Sequence, residues 1–384
     1  MSEYQYYEFA AIDRPLTTAE MAQLRQVSTR GRISASGFVN HYEWGGLKAD
    51  PTDWMRRYFD AFVYTANWCS CRLALRVPLA TFRKTELKPF AVGHALTIEA
   101  SGEHWIIDWS LDDSENYDRF AMEEGDGWMS RLAPLREELM RGDLRPLYLG
   151  WLASAGRLDD DALEPEVPPG LAELSPPQQA LAEFIEVDPD LLAAAAAGSS
   201  TRAVNNESAQ AADVDAWMDE WSPGDMAAML RLIAQGQSRE AERRVRAHHA
   251  AWSKARHPAR APSTPRRTVR QLRQLAPSAR ILRVAREAEA RAAADTERRL
   301  QRETALRLLM ADVDKHWAAI DALAARGSAS GYQHAVRALA DLADGYALTA
   351  SRKEFDRALR RLLVRHATRG ALLRRLTEAG LWSG

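Results

Sequence analysis

Apolar and polar positions repeat with two different periods along this chain, and the change of period divides it. Near the start the period is two. Residues 4–12 are aromatic and β-branched enough to predict a strand, which Arg14-Pro15 ends. Phe38, Asn40, Tyr42 and Trp44 alternate with Val39, His41 and Glu43 in a second strand that stops at Gly45-Gly46. Leu73, Leu75 and Val77 alternate with Arg72, Ala74 and Arg76 before Pro78. Residues 95–100 and 104–110 predict a hairpin about Ser101-Gly102, with Trp105, Ile107 and Trp109 on one face. Helical spacing is interleaved with these strands. Thr17 and Glu20 form a capping box ahead of Met21, Leu24 and Val27. Asp50 caps and Pro51 opens a helix whose apolar positions are Trp54, Met55, Tyr58, Phe59 and Phe62. Trp128, Leu132, Leu135 and Leu139 mark a helix ended by Gly142, and residues 147–153 belong to another. Residues 1–155 are therefore expected to form an α+β domain of about five strands, with its helices on one side of the sheet.

Residues 156–213 read as an acidic, Pro-rich linker with short helices. Asp159, Asp160 and Asp161 stand beside Pro165, Pro168, Pro169, Pro176 and Pro177, which exclude a continuous helix or central strand. Short helices are expected within 178–197 about Asp188-Pro189, and 198–212 is polar enough for a flexible link. From residue 214 to 384 every signal is helical. Ser222 caps a helix with Met226, Met229, Leu230 and Ile233 as its expected inner face, and Gly236 ends it. A helix over 238–256 precedes a basic, Pro-rich break at 257–267. Residues 278–326 hold no Gly or Pro over 49 positions, which predicts one long helix or two in line. Leu306, Met310, Val313, Trp317, Ile320 and Ala324 form its apolar stripe, and helices over 333–343, 351–366 and 370–380 close an all-α, Arg-rich region.

Charge sharpens the division. Residues 1–235 carry 20 Lys+Arg against 38 Asp+Glu, and residues 236–384 carry 31 against 15, so a net of -18 faces a net of +16. Halves of opposite sign either attract each other or offer the basic half to an anionic partner. Between Arg239 and Arg307 the balance is 19 to 7, and Arg266, Arg267, Arg270, Arg273, Arg280, Arg283 and Arg286 recur at helical steps able to meet phosphates or carboxylates.

Local chemistry narrows the classes. The only cysteines, Cys69 and Cys71, are too few for a disulfide framework or a closed zinc site, so no metal and no cofactor is expected. No G-x-S-x-G, H-E-x-x-H or P-loop pattern occurs, which leaves hydrolase, metalloprotease and nucleotide-binding readings without a signature. Asp108 stands inside an apolar strand ahead of an acidic loop over 112–126. On the helix with Ala241, Val245 and Trp252, His248 is expected at the core edge and His249 in solvent. No stretch is long and apolar enough for a membrane span, and the start lacks a secretory pattern, so the chain is expected in the cytoplasm.

Two ends of the sequence resemble known proteins. Tyr4-Gln5-Tyr6-Tyr7-Glu8-Phe9 with Ala11-Ile12-Asp13-Arg14-Pro15-Leu16-Thr17 resembles the opening of a family of uncharacterised bacterial proteins. The likeness continues in Tyr58-Phe59-Asp60-Ala61, Ala66-Asn67-Trp68 and Tyr148-Leu149-Gly150-Trp151-Leu152. Tyr332, Ala335-Val336, Leu339, Phe355, Leu359, Arg365-His366 and Leu376 with Ala379-Gly380-Leu381 are similar to a helical tail that ends some bacterial SWIM zinc-finger proteins. The resemblance implies no activity, and the zinc ligands of that finger do not follow Cys69-Ser70-Cys71. The combined reading is a non-enzymatic cytoplasmic binding or adaptor protein whose partner is another protein. The alternative is a nucleic-acid-binding protein that contacts phosphates through the basic helices, and third comes an enzyme with an unrecognised site in the N-terminal domain.

Overall fold

The computed structural model describes residues 4–92, 94–112, 114, 126–200, 214–256 and 266–382, without the side chains of Arg239, Arg243, Ala250, Ser253 and Lys254. Most of the expected acidic loop at 112–126, of the link at 198–212 and of the break at 257–267 lies outside the described residues. The chain forms two compact units, Met1–Arg283 and Val284–Gly384.

The first unit is built on one antiparallel sheet of seven strands in the order β2-β3-β1-β4-β5-β7-β6. The strands are β1 (Gln5–Ala10), β2 (Arg32–Ser34), β3 (Gly37–Tyr42), β4 (Ala61–Ala66), β5 (Cys71–Pro78), β6 (Leu96–Ser101) and β7 (His104–Leu111). Two of them are additions to the expected set. β2 has three residues, too few for a periodic signal. β4, Ala-Phe-Val-Tyr-Thr-Ala, is central and buried on both faces, so its run carries no alternation.

Helices cover both faces of the sheet, not one. Phe9, Phe38, Phe62, Ala74 and Ile106 point to a cluster closed by Leu24 of α1 (Thr18–Val27) and Trp54 of α2 (Pro51–Arg57). Their neighbours Val63, Leu73, Leu75, Ile107 and Trp109 point to the opposite cluster. That cluster is closed by α4 (Trp128–Leu132), α5 (Leu135–Met140), α6 (Arg145–Ser154), α7 (Pro176–Phe184) and α8 (Pro189–Ala196), while α3 (Lys84–Leu87) adds Leu87. The capping box at Thr17 and the Asp50 cap form as expected. The helix after Asp50 stops at Arg57, however, and Phe62 lies in β4: the aromatic run serves two elements, which a single helical reading merged.

The acidic Pro-rich stretch is part of this core. Leu171, Leu181, Phe184, Ile185 and Leu191 are buried against the sheet-side cluster, and Leu163 bridges Thr268 in antiparallel register. Proline removes donors and sets turns, but it does not prevent the residues between from packing.

Helices α9 (residues 214–219), α10 (Pro223–Ala234) and α11 (Ser238–Arg256) follow, then α12 (Val269–Ala311), α13 (Val313–Ala325), α14 (Ala329–Thr349), α15 (Arg352–Arg365) and α16 (Gly370–Glu378). The long helix, 43 residues, starts earlier than the sequence suggests and includes Pro277, which is exposed. Asp312 leaves helical geometry and separates α12 from α13. The division between the units falls inside α12, at Arg283 and Val284. In the second unit Ile320, Tyr332, Leu339, Leu342, Phe355, Leu359, Leu362, Leu372 and Leu376 form the core, and Trp317 donates to the Tyr346 hydroxyl at 3.2 Å.

Candidate functional site

The arginines singled out in the sequence are placed on and before the first turns of α12, and most of them meet carboxylates of their own unit. Arg267 forks onto buried Glu164 at 2.6 and 2.8 Å and also reaches the Ala194 carbonyl at 3.2 Å. Arg270 lies 3.4 Å from both Asp160 and Asp161. Arg273 pairs with Asp160 at 2.5 Å and donates to the carbonyls of Ala155, Gly156 and Leu158 at 2.7, 3.2 and 2.9 Å. It thus holds the chain as it leaves α6, from the C-cap Ala155 onward. Arg283 grips Asp190 at 2.7 and 3.0 Å, with Arg280 at 3.8 Å from the same carboxylate. Arg266 and Arg286 are exposed. The attraction between acidic and basic segments is therefore satisfied locally, between the acidic stretch and the first part of α12.

A different surface is left uncovered by the described residues. α11 packs on the body of the first unit, where Arg246 pairs with Glu137 and with Glu242. α10 packs on α11 in turn. The expected inner face of α10 splits. Met229 and Leu232 are half-buried, whereas Met226, Leu230 and Ile233 are 37%, 65% and 53% exposed at positions i, i+4 and i+7. No residue of α10 is buried. Val214 and Met218 of α9 are exposed as well.

An aromatic cluster fixes this module. Trp217 and Trp221 both donate to Nδ1 of His248, at 2.9 and 2.8 Å. His249 lies between Trp217 and Trp252, and its Nε2 is buried without a hydrogen-bond partner among the described residues. The two histidines therefore exchange the expected places: His248 is exposed and His249 is packed. The period alone could not rank them, because Trp217 of α9 and Trp221 just beyond it pack on this side.

Two cavities of the first unit hold charge. One of about 450 Å³ is lined by Asp13, Arg136, Glu137, Glu242 and Arg246. At its floor buried Arg136 donates to Asp13 at 2.8 Å and to the Arg76 carbonyl at 2.7 Å. Burial opposes ionisation of neighbouring Asp60, yet Arg76, Arg136 and the backbone N–H of Asp13 hold its carboxyl below the usual range. A second cavity, about 490 Å³, is lined by Phe90, Arg145, Val167, Pro168, Pro169 and Arg266. Arg145 there is closed by Asp143 at 2.6 Å and by the Gly170 and Glu173 carbonyls. Asp108 is buried as expected for its strand position. Burial pushes its carboxyl up, while Arg72, at 2.5 to 3.0 Å, opposes that shift. Cys69 and Cys71 are buried, and among the described residues no group of three His, Cys, Asp or Glu side chains could hold a metal ion. Likewise, no described helix is long and apolar enough to cross a membrane.

No protein-family model, curated protein or solved structure matches this chain. Met218 escaped the sequence reading, as did the outward direction of Leu230. The signal available was the width of the apolar arc on α10, which runs from Leu232 through Met229, Ile233 and Met226 to Leu230 and is too broad for contact with one neighbour.

Proposed function

We propose that this chain is a cytoplasmic binding protein that docks another protein on the outer face of α10. The observation that carries the reading is the exposed apolar row Met226, Leu230 and Ile233. Its i, i+4, i+7 spacing is that of helix-in-groove anchors, and a second helix or an apolar groove would cover it. A contiguous apolar surface bordered by polar residues is characteristic of interaction sites. The acidic partners of Arg267, Arg270, Arg273 and Arg283 support a protein partner over phosphate contacts through those four side chains. The cytoplasmic assignment is supported by the cysteine content, Cys69 and Cys71 being too few for a disulfide framework.

A photo-reactive amino acid at position 230, with irradiation in cells of the native host, tests the reading. The expected product is a covalent adduct with a second protein that is lost in an Ile233→Glu background. Adducts with a further copy of the chain alone would make the face a homodimer interface. No adduct at all would remove the proposal.

A further inference from the structure

The second unit carries a cationic surface on a helix that the Arg266–Arg286 set did not include. Residues 351–382 hold 9 Lys+Arg against 3 Asp+Glu. On α15, Phe355, Leu359, Leu362 and Leu363 are buried, and successive residues turn by about 100°. Opposite this buried row stand Lys353, Arg357, Arg360, Arg361 and Val364, all exposed, within a sector of about 100°. Glu354 lies at the margin of that sector. Arg352 pairs with Asp356 and Arg365 with Asp321, so two flanking arginines are neutralised. Lys353, Arg357, Arg360 and Arg361 have no ion pair or hydrogen bond among the described residues. The exposed stretch of α12 makes a useful contrast: residues 284–305 contain five arginines and five carboxylates, so that surface is balanced.

We propose that the outer face of α15 binds duplex nucleic acid through its phosphates, independently of the α10 surface. From Lys353 to Val364 the helix rises about 16 Å, a length over which one strand of a duplex presents about five phosphates at 3.4 Å each along the axis. Three of the four cations are arginines, whose planar fork matches phosphate oxygens. An aromatic platform for unpaired bases is not part of this face, which favours a duplex over a single strand. A membrane fits less well. The apolar side of α15 is buried in the core of the unit and cannot insert without unfolding it.

The test is fluorescence anisotropy of the full chain with a labelled mixed-sequence duplex of 24 base pairs, across a salt series. Wild type should bind, with a slope of log affinity against log salt of roughly 4, from about 0.9 per neutralised phosphate. The variant Arg357→Glu, Arg360→Glu, Arg361→Glu should bind at least about tenfold more weakly, its slope reduced by about 3. If circular dichroism shows that variant unfolded, the Arg→Gln triple variant decides instead, with a slope reduction of the same sign. A matched variant, Arg286→Glu, Arg291→Glu, Arg299→Glu, changes net charge equally on α12 and should keep most of the affinity. Equal weakening by the two sets would reduce the effect to net charge and overturn the proposal, as would no wild-type binding at the lowest salt. Displacement by poly-L-glutamate as efficient as by unlabelled duplex would overturn it in favour of an acidic protein.

Discussion

Glu164 and Arg267, 103 residues apart, close on each other through two parallel hydrogen bonds of 2.6 and 2.8 Å, and the Tyr148 hydroxyl donates to the same carboxylate. Glu164 is 1% exposed and Tyr148 is fully buried, so this contact is made away from water. Burial and the adjacent Glu164 push the Tyr148 hydroxyl well above its ordinary value, which keeps it a donor. The backbone follows the side chains: Glu164 N–H donates to the Arg267 carbonyl and Val269 N–H to the Ala162 carbonyl, each at 2.9 Å.

Removing Arg267 leaves the Glu164 carboxylate buried with the Tyr148 hydroxyl as its remaining side-chain donor. Arg267→Ala is expected to cost about 3 to 5 kcal/mol in urea unfolding, because Glu164 then holds an uncompensated charge. Replacing both, as Glu164→Gln with Arg267→Met, should recover a large part of that loss. A single variant within about 0.5 kcal/mol of wild type would show that Arg267 is dispensable for the fold.

Acid should weaken the cap of α1. Arg14, together with the N–H and hydroxyl of Thr17, lowers the Glu20 carboxyl from its ordinary 4.5 to about 2. A carboxyl whose folded pKa is lowered contributes stability that is complete above the unfolded value and fades as pH falls toward the folded one. The melting temperature of wild type should therefore exceed that of Glu20→Gln at pH 7, and the gap should close between pH 4.5 and about 2. A gap independent of pH would assign the effect to packing alone.

Gly150 inverts the usual helix rule. Alanine in place of a mid-helix glycine ordinarily stabilises, but a Cβ at position 150 would lie 2.8 Å from the Trp109 ring and 3.0 Å from the Leu96 Cβ. Gly150→Ala is expected to destabilise by about 1 to 3 kcal/mol through overpacking. Gly156→Ala, with nothing within 4 Å, serves as the neutral control in the same denaturation series.

The outward direction of α10 also has a stability signature. Leu230→Glu should change unfolding free energy by no more than about 0.5 kcal/mol, since its side chain is already in water. Leu339→Ala, fully buried in the second unit, should cost about 2 to 5 kcal/mol. A Leu230→Glu loss of the second size would place that residue in a core.

The α+β beginning and the helical remainder were both legible in the chain, because they rest on signals that are local. The Thr17 and Glu20 box, the Ser222 cap and the alternation of Leu73, Leu75 and Val77 each act within one element, and each forms as the pattern predicts. Strand β4 was not legible, since a strand buried on both faces carries no alternation to detect.

Sequence by itself determined where the charges lie, where the capped helices begin and which face of each alternating strand is apolar. Tertiary structure decided what those faces meet. The acidic stretch after residue 156 and the arginines from Arg267 to Arg283 have the same local properties whether they engage each other or a partner. Only the approach of residues 162–164 to 267–269 pairs them. The apolar residues of α10 likewise read as a core face until packing on α11 takes Met229 and leaves Leu230 in water. The physical reason is the same in both cases: burial and charge pairing are properties of contacts between distant segments, and a periodic pattern specifies that a face must be covered without specifying by what.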